Sequence, residues 1–334
     1  YNNNKENKPK NILNNTYGYD FNKWFSDRFR KREKLLNVKQ KILNKFAISR
    51  YTIDGIVPNM GIKYLSNDYY NSFSGIFALN KNDIQEINEQ MQKFYDFCNK
   101  NRIKCYIMVS PKKSSFIPGE MNFFKTKDNI GELNKHLKYK IINPYNYLKK
   151  AQQKETVFYY VDDHLSQFGK YTVTKVLLDV IRKDIPDLPD IDENDYKITF
   201  TKQENKNLVY SKKYLDKLYK RFEDIKGKQP IVEQSLVDKY KKIYMYDKRK
   251  EKICNDANVF EDGYNKKTIW IGSSYVGHPA PIFTYSIFKN SLVFKNCLGG
   301  IKVYKDIVEE YKPDIIVIHI DYQRIKELRY FMEE

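Results

Sequence analysis

The sequence predicts an α/β fold, a doubly wound and mostly parallel sheet flanked by helices. Three observations predict it. Short unbroken apolar runs at Cys105–Val109, Ile269–Ile271 and Ile315–Ile318 have the length and hydrophobicity of strands buried on both faces. Amphipathic helical patterns stand between such runs, so strand and helix alternate along the chain. A helix followed directly by a buried strand occurs near residue 100 and again near the C-terminus.

A chain of 334 residues can bury one large α/β core. Residues 1–16 are rich in Asn and Lys with almost no apolar side chains, so they read as a linker or disordered arm. Residues 17–334 then form one domain.

Phe21, Trp24, Phe25 and Phe29 begin a helical pattern that continues through Leu35 and Leu36. Ile84, Ile87, Met91, Phe94 and Cys98 recur at spacings of three and four. That predicts an amphipathic helix capped by Asn82, with Gln85 at its third position. The polar break Asn99–Arg102 ends the helix, and the Cys105–Val109 strand follows. Val157–Val161 is a further strand candidate, and Val173, Val176, Leu177, Val180 and Ile181 mark the next helix. Residues 200–262 are Lys- and Tyr-rich and read as a helical insertion or cap, with helices expected at 211–226 and 233–246. Val303–Tyr311 reads as a helix stopped by Pro313, ahead of the last strand.

The 60 Lys+Arg against 42 Asp+Glu give a net charge of +18, which raises nucleic acid as a partner. The excess is spread along the chain, and no zinc finger, basic zipper or RRM motif is present, so nucleic acid is not expected. A basic surface equally suits an anionic glycan or the outer face of a membrane. Cys98, Cys105, Cys254 and Cys297 lack metal-ligand spacing, so neither a metal centre nor a cofactor is expected. Cys98 on its helical stripe and Cys105 in its strand read as buried free thiols. No run of eighteen apolar residues occurs, so no membrane span is expected. The chain opens at Tyr1, from which a removed leader or N-terminal anchor is expected.

Two segments carry chemistry. Tyr159–Gly169 contains Asp162 and His164 with one residue between them, and Thr268–Tyr275 contains Gly272, Ser273, Ser274 and Tyr275. Each is an apolar run ending in small and polar residues, and ligands of open α/β sheets sit beyond the carboxyl ends of the strands. The set makes a Ser-His-Asp triad. A Ser hydroxyl is a poor nucleophile until a base removes its proton. His164 would take the proton of Ser274, while Asp162 fixes the tautomer through the other ring nitrogen. The N–H groups after Gly272 are oxyanion candidates, and so are donors in the loop containing Asn296 and Gly299. A structural reading stands beside this one: Gly-Ser-Ser as an ordinary turn, Asp163 or Ser166 as a helix cap, and His164 as a solvated residue. His278 competes for the base role but has no acidic neighbour to orient it. His319 reads as a satisfied core or rim histidine, and His136 as a polar helix residue. Tyr275 reads equally as a wall of the site or as core.

The chain resembles the extracytoplasmic SGNH-hydrolase-like O-acetyltransferases typified by the alginate acetylation proteins AlgJ and AlgX, with relatives acting on Gram-positive cell-wall polysaccharides. Asp162, His164 and Gly169 fall on the family's Asp-X-His-Trp-X-X-X-Gly segment, and Gly272, Ser273, Ser274 and Tyr275 on its nucleophile segment. Val109–Lys112 with Phe116–Glu120, and Trp24–Arg30, echo further blocks. Leu165 stands where the family has Trp, 200–262 has no counterpart in the pattern, and no carbohydrate-binding module of the AlgX kind is expected. The resemblance implies an acetyl-Ser274 intermediate, a polysaccharide acceptor and a membrane-bound acyltransferase that supplies acetyl. It also implies a place outside the cytoplasm, with tethering by an N-terminal segment. A carbohydrate acetyl-esterase using the same triad, or a non-catalytic glycan-binding module, are the alternatives.

Overall fold

The computed structural model describes residues 56–57, 62–63, 79–113, 128–159, 164–202, 218–225, 231–232, 256–259, 263–273, 287–295, 298 and 300–333. The chain divides into two compact units, Tyr1–Asn67 and Asp68–Glu334. In the first, β1 (Ile56–Val57) pairs antiparallel with β2 (Ile62–Lys63). The arm at 1–16 and the helical pattern from Phe21 to Leu36 lie outside the described residues.

In the second unit α1 (Lys81–Lys100) begins at a capping box. The Asn80 side chain accepts the Asp83 N–H at 2.8 Å, and the Asp83 carboxylate accepts the Asn80 N–H at 3.0 Å. The cap is thus Asn80 rather than Asn82, because Asp83 answers it from the third helical position. The same carboxylate is buried and meets Arg329 and Lys326 of the C-terminal turn, which docks that turn on α1.

The strands β3 (Lys104–Ser110), β6 (Ile231–Val232), β7 (Asp256–Val259), β8 (Tyr264–Gly272), β9 (Phe288–Lys295) and β10 (Ile315–Asp321) form a six-stranded sheet in the order β3-β10-β8-β9-β7-β6. The pairs β3/β10, β10/β8 and β8/β9 are parallel, while β7 and β6 add antiparallel. Strand alternation splits the core in two. Ile316, Ile318 and Ile320 of β10 pack with Ile107, Val109, Ile269 and Ile271 against α1 and α5 (Ile301–Tyr311). Ile315 and Val317 pack with Tyr106, Met108 and Trp270 against α4 (Gln167–Ile181). Burying each such side chain contributes about 1.5–3 kcal/mol. Helices therefore cover both faces, as the alternating pattern predicts. The short helices α2 (Asn129–Asn134) and α3 (Tyr145–Ala151) lie between β3 and α4 in the chain. Lys312 ends α5 in the left-handed conformation, φ 51°, just ahead of Pro313.

Two expectations are corrected. Val157–Tyr159 is not a strand in the sheet, since Phe158 and Leu165 make an isolated antiparallel bridge, and the rest of the expected strand, Tyr160 and Val161, lies outside the described residues. Nor is the described part of 211–226 helical: β5 (Leu218–Ile225) pairs antiparallel with β4 (Tyr196–Lys202), and 211–217 lies outside the described residues. Tyr219 and Phe222 are buried while Arg221 is exposed, so packing of aromatic residues on both sides of a ribbon overrides the helical spacing. The other expected helix, 233–246, lies outside the described residues. Among the described residues no helix is long and apolar enough to cross a membrane.

Candidate active site

The carboxyl ends of β3, β8 and β10 lie side by side. His319 of β10 is in register with Met108 of β3 and Gly272 of β8, and Asp321 with Ser110. Here the apolar strands turn polar, and Ser110, Ser273, His319 and Asp321 are all buried. Ligands of open α/β sheets sit at this edge.

His319 Nε2 lies 2.8 Å from Ser110 Oγ. Burial, with a smaller contribution from the Lys170 charge on α4, pushes its pKa down to about 3, so the ring is neutral at pH 7. His319 is therefore a satisfied core histidine. Ser273, 1% exposed, continues the ladder past Gly272. Its N–H donates to the His319 carbonyl at 3.2 Å, and its Oγ accepts the Asp321 N–H at 3.3 Å.

His164 lies three residues before α4, where the chain on either side of residues 160–163 is paired. Ser166 N–H donates to Val157 O at 2.9 Å and Tyr159 N–H to His164 O at 3.1 Å. Ser166 caps α4, its Oγ accepting the Gly169 N–H at 3.0 Å. Gly169 has a steric reason to be glycine: a Cβ there would lie 2.1 Å from the Val157 carbonyl oxygen. The loop thus packs directly on the helix backbone. Leu165, standing where the resembled pattern has Trp, is fully buried in the α4-side core. Lys113, three residues beyond β3, donates from Nζ to the Tyr159 carbonyl and ties the loop to the carboxyl edge of the sheet.

Of the candidate triad and oxyanion residues, His164, Gly272 and Ser273 are described: Gly272 and Ser273 stand at the end of β8, and His164 precedes α4 in the segment that Lys113 meets. Asp162, Ser274, Tyr275, His278, Asn296 and Gly299 lie outside the described residues. His136 is exposed in the turn after α2 rather than in a helix. Among the described residues no group of three His, Cys, Asp or Glu side chains is placed to hold a metal ion. Burial pushes the Cys98 thiol pKa far up, and it is a free thiol in the α1-side core. Sequence reasoning missed Ser110, Lys113 and Lys170. The available signal was Ser110 closing an apolar strand as Ser273 does.

No protein-family model and no curated protein matches the chain. Among solved structures it is similar to Bacillus cereus PatB1 with a sulfonyl adduct, at TM-score 0.55 and 10% identity over 77% of this chain and 95% of that one. A second structure of Bacillus cereus PatB1 gives TM-score 0.53 and 10% identity over 76% and 94%. The O-acetyltransferase domain of Pseudomonas putida AlgJ is less similar, at TM-score 0.44 and 10% identity over 78% and 88%. The sheet order, the helices on both faces and the similarity to the two PatB1 structures show that the chain shares the α/β fold of PatB1.

Proposed function

We propose that the chain is an extracytoplasmic O-acetyltransferase that moves an acetyl group to a polysaccharide hydroxyl through an acetyl-Ser274 intermediate. One observation carries this reading. The loop bearing His164 is fastened by Lys113 to the sheet edge where β8 delivers Gly272 and Ser273. In β8 Trp270 faces α4 and Ile271 faces α1. The reading requires Ser274, which lies outside the described residues, to follow Ser273 at this edge within reach of His164. The fold is shared with a protein that carries a sulfonyl adduct, and such adducts form on reactive side chains, which supports a nucleophile in this chain as well.

In the proposed reaction Ser274 Oγ bonds to the carbonyl carbon of an acetyl ester donor as its proton passes to His164. Asp162 holds the ring in the required tautomer. Backbone N–H groups after Gly272 stabilise the oxyanion. Collapse breaks the bond to the donor's leaving group, which takes the proton from His164. A sugar hydroxyl then attacks acetyl-Ser274, giving its proton to His164, and the released Ser274 oxygen recovers it. The acetyl donor would be fed by a membrane-bound acyltransferase.

The test is to supply an activated acetyl ester with and without polysaccharide acceptors and identify the product. Acetylated sugar, with ping-pong kinetics, supports a transferase. Free acetate alone, unaffected by any acceptor, makes the chain a carbohydrate acetyl-esterase. No Ser274-dependent turnover leaves a non-catalytic glycan-binding module.

A further inference from the structure

We propose that Cys98 and Cys105 join in a disulfide that staples the C-terminus of α1 to the start of β3, a modification made by exchange with a small disulfide such as oxidised glutathione. The chain between the two residues fixes their placement. Helix α1 ends in a Schellman turn with Arg102 in the left-handed position, φ 58°. The Arg102 N–H donates to Asn99 O at 3.1 Å, and the Ile103 N–H returns to Cys98 O at 2.9 Å. The turn thus folds the chain entering β3 back onto Cys98. Alternation then puts Ile103, Cys105, Ile107 and Val109 on the face that packs against α1. Cys98 lies on the core stripe of α1 with Ile87, Met91 and Phe94, so it faces that same surface. There the two thiols meet in a side-chain hydrogen bond.

Cys98 is fully buried, whereas Cys105 is partly exposed. Burial keeps the Cys98 thiol protonated and inert toward an outside reagent, so Cys105 is the point of entry. The Cys105 thiolate attacks one sulfur of oxidised glutathione, whose S–S bond breaks as one glutathione leaves. Cys98 then attacks the Cys105 sulfur, the mixed disulfide breaks, and the second glutathione leaves. The two protein thiols lose two electrons, the reagent gains them, and the two thiol protons end on the released glutathiones. The bond anchors β3, which stands at the edge of the six-stranded sheet and whose far end carries Ser110. The pairing is independent of the acetyl-transfer reading. Where the chain resides decides only whether the bond persists, since oxidising compartments keep disulfides and the cytosol reduces them.

The test takes the 334-residue chain, reduced with dithiothreitol and freed of reductant, and incubates it with oxidised glutathione in native buffer. Remaining thiols are alkylated with N-ethylmaleimide in denaturant, and the protein is cut with trypsin. Cleavage after Lys93, Lys100, Lys104 and Lys112 leaves the two cysteines on separate peptides, Phe94–Lys100 and Cys105–Lys112, which only a disulfide joins. The joined peptides are expected in the oxidised sample and should vanish on reduction. The oxidised form should melt about 3 °C or more above the reduced form. Cys105→Ser should lose that redox-dependent shift, and its Cys98 should stay unmodified by oxidised glutathione. Should that variant fail to fold, the two wild-type measurements still decide. The proposal is wrong if the two peptides carry only N-ethylmaleimide or glutathione, if either cysteine pairs with Cys254 or Cys297, or if the oxidised form melts no higher than the reduced one.

Discussion

The Ser273 hydroxyl accepts the Asp321 N–H at 3.3 Å, so the residue after β8 is tied to the last residue of β10. Ser273 is buried and its amide is engaged by the His319 carbonyl. Its side chain therefore holds the strand end and is not exposed for chemistry. Ser273→Ala leaves the Asp321 N–H without that acceptor and should cost about 1–3 kcal/mol. Urea denaturation measures the loss, while a sulfonyl fluoride should still label the variant elsewhere.

Gly169→Ala should damage the fold and the site together. Its Cβ would overlap the Val157 carbonyl, so either the helix or the loop bearing His164 must move. Overpacking of this kind costs about 1–3 kcal/mol. A lower Tm together with reduced ester hydrolysis is expected. Reduced Tm with unchanged kcat would show that the loop position does not matter to the reaction.

Lys113→Met removes the donor to the Tyr159 carbonyl while keeping an unbranched apolar side chain. The His164 loop should then be held less well. Ester hydrolysis should fall more than tenfold, while the urea midpoint shifts little. Equal loss of both would make Lys113 merely structural.

His319 should make stability depend on pH. Its pKa is about 3 in the folded chain against 6.5 for a free ring, with burial the main cause. Between those values the unfolded chain takes up a proton that the folded chain refuses. Its contribution is therefore full above pH 6.5 and is lost as pH falls toward 3. Ser110 and Lys170 face the ring, and Asp321 follows two residues on along the same strand face. Wild-type protein should lose about 2 kcal/mol more than His319→Gln between pH 6.5 and pH 5. Parallel pH profiles would show that the ring titrates normally.

The sheet was legible because each buried parallel strand is an unbroken apolar run. Ile315–Ile318 and Cys105–Val109 could hardly be anything else. The expected bounds fell short where polar residues extend the strands: Tyr264–Thr268 lead into β8, while Ser110 and His319–Asp321 carry β3 and β10 on into the site. The β4–β5 ribbon was not legible, because Tyr219 and Phe222 lie three apart, a spacing that suits a helix as well as a ribbon buried on both faces. The His164 loop misled for another reason. Val157 and Phe158 are core residues, yet a two-residue bridge holds them rather than a sheet. Leu165 looked like a departure from a pattern, whereas burial makes it core. The Lys113 and His319–Ser110 contacts join residues far apart in sequence, which periodicity does not report.

The most direct measurement is peptide mass spectrometry of the protein after brief incubation with an activated acetyl ester. One acetyl group should be found on Ser274 in the wild type. Ser274→Ala should carry none and turn over no ester, with an unchanged Tm. Acetyl on Ser273 instead, or undiminished turnover by Ser274→Ala, would contradict the acetyl-serine mechanism.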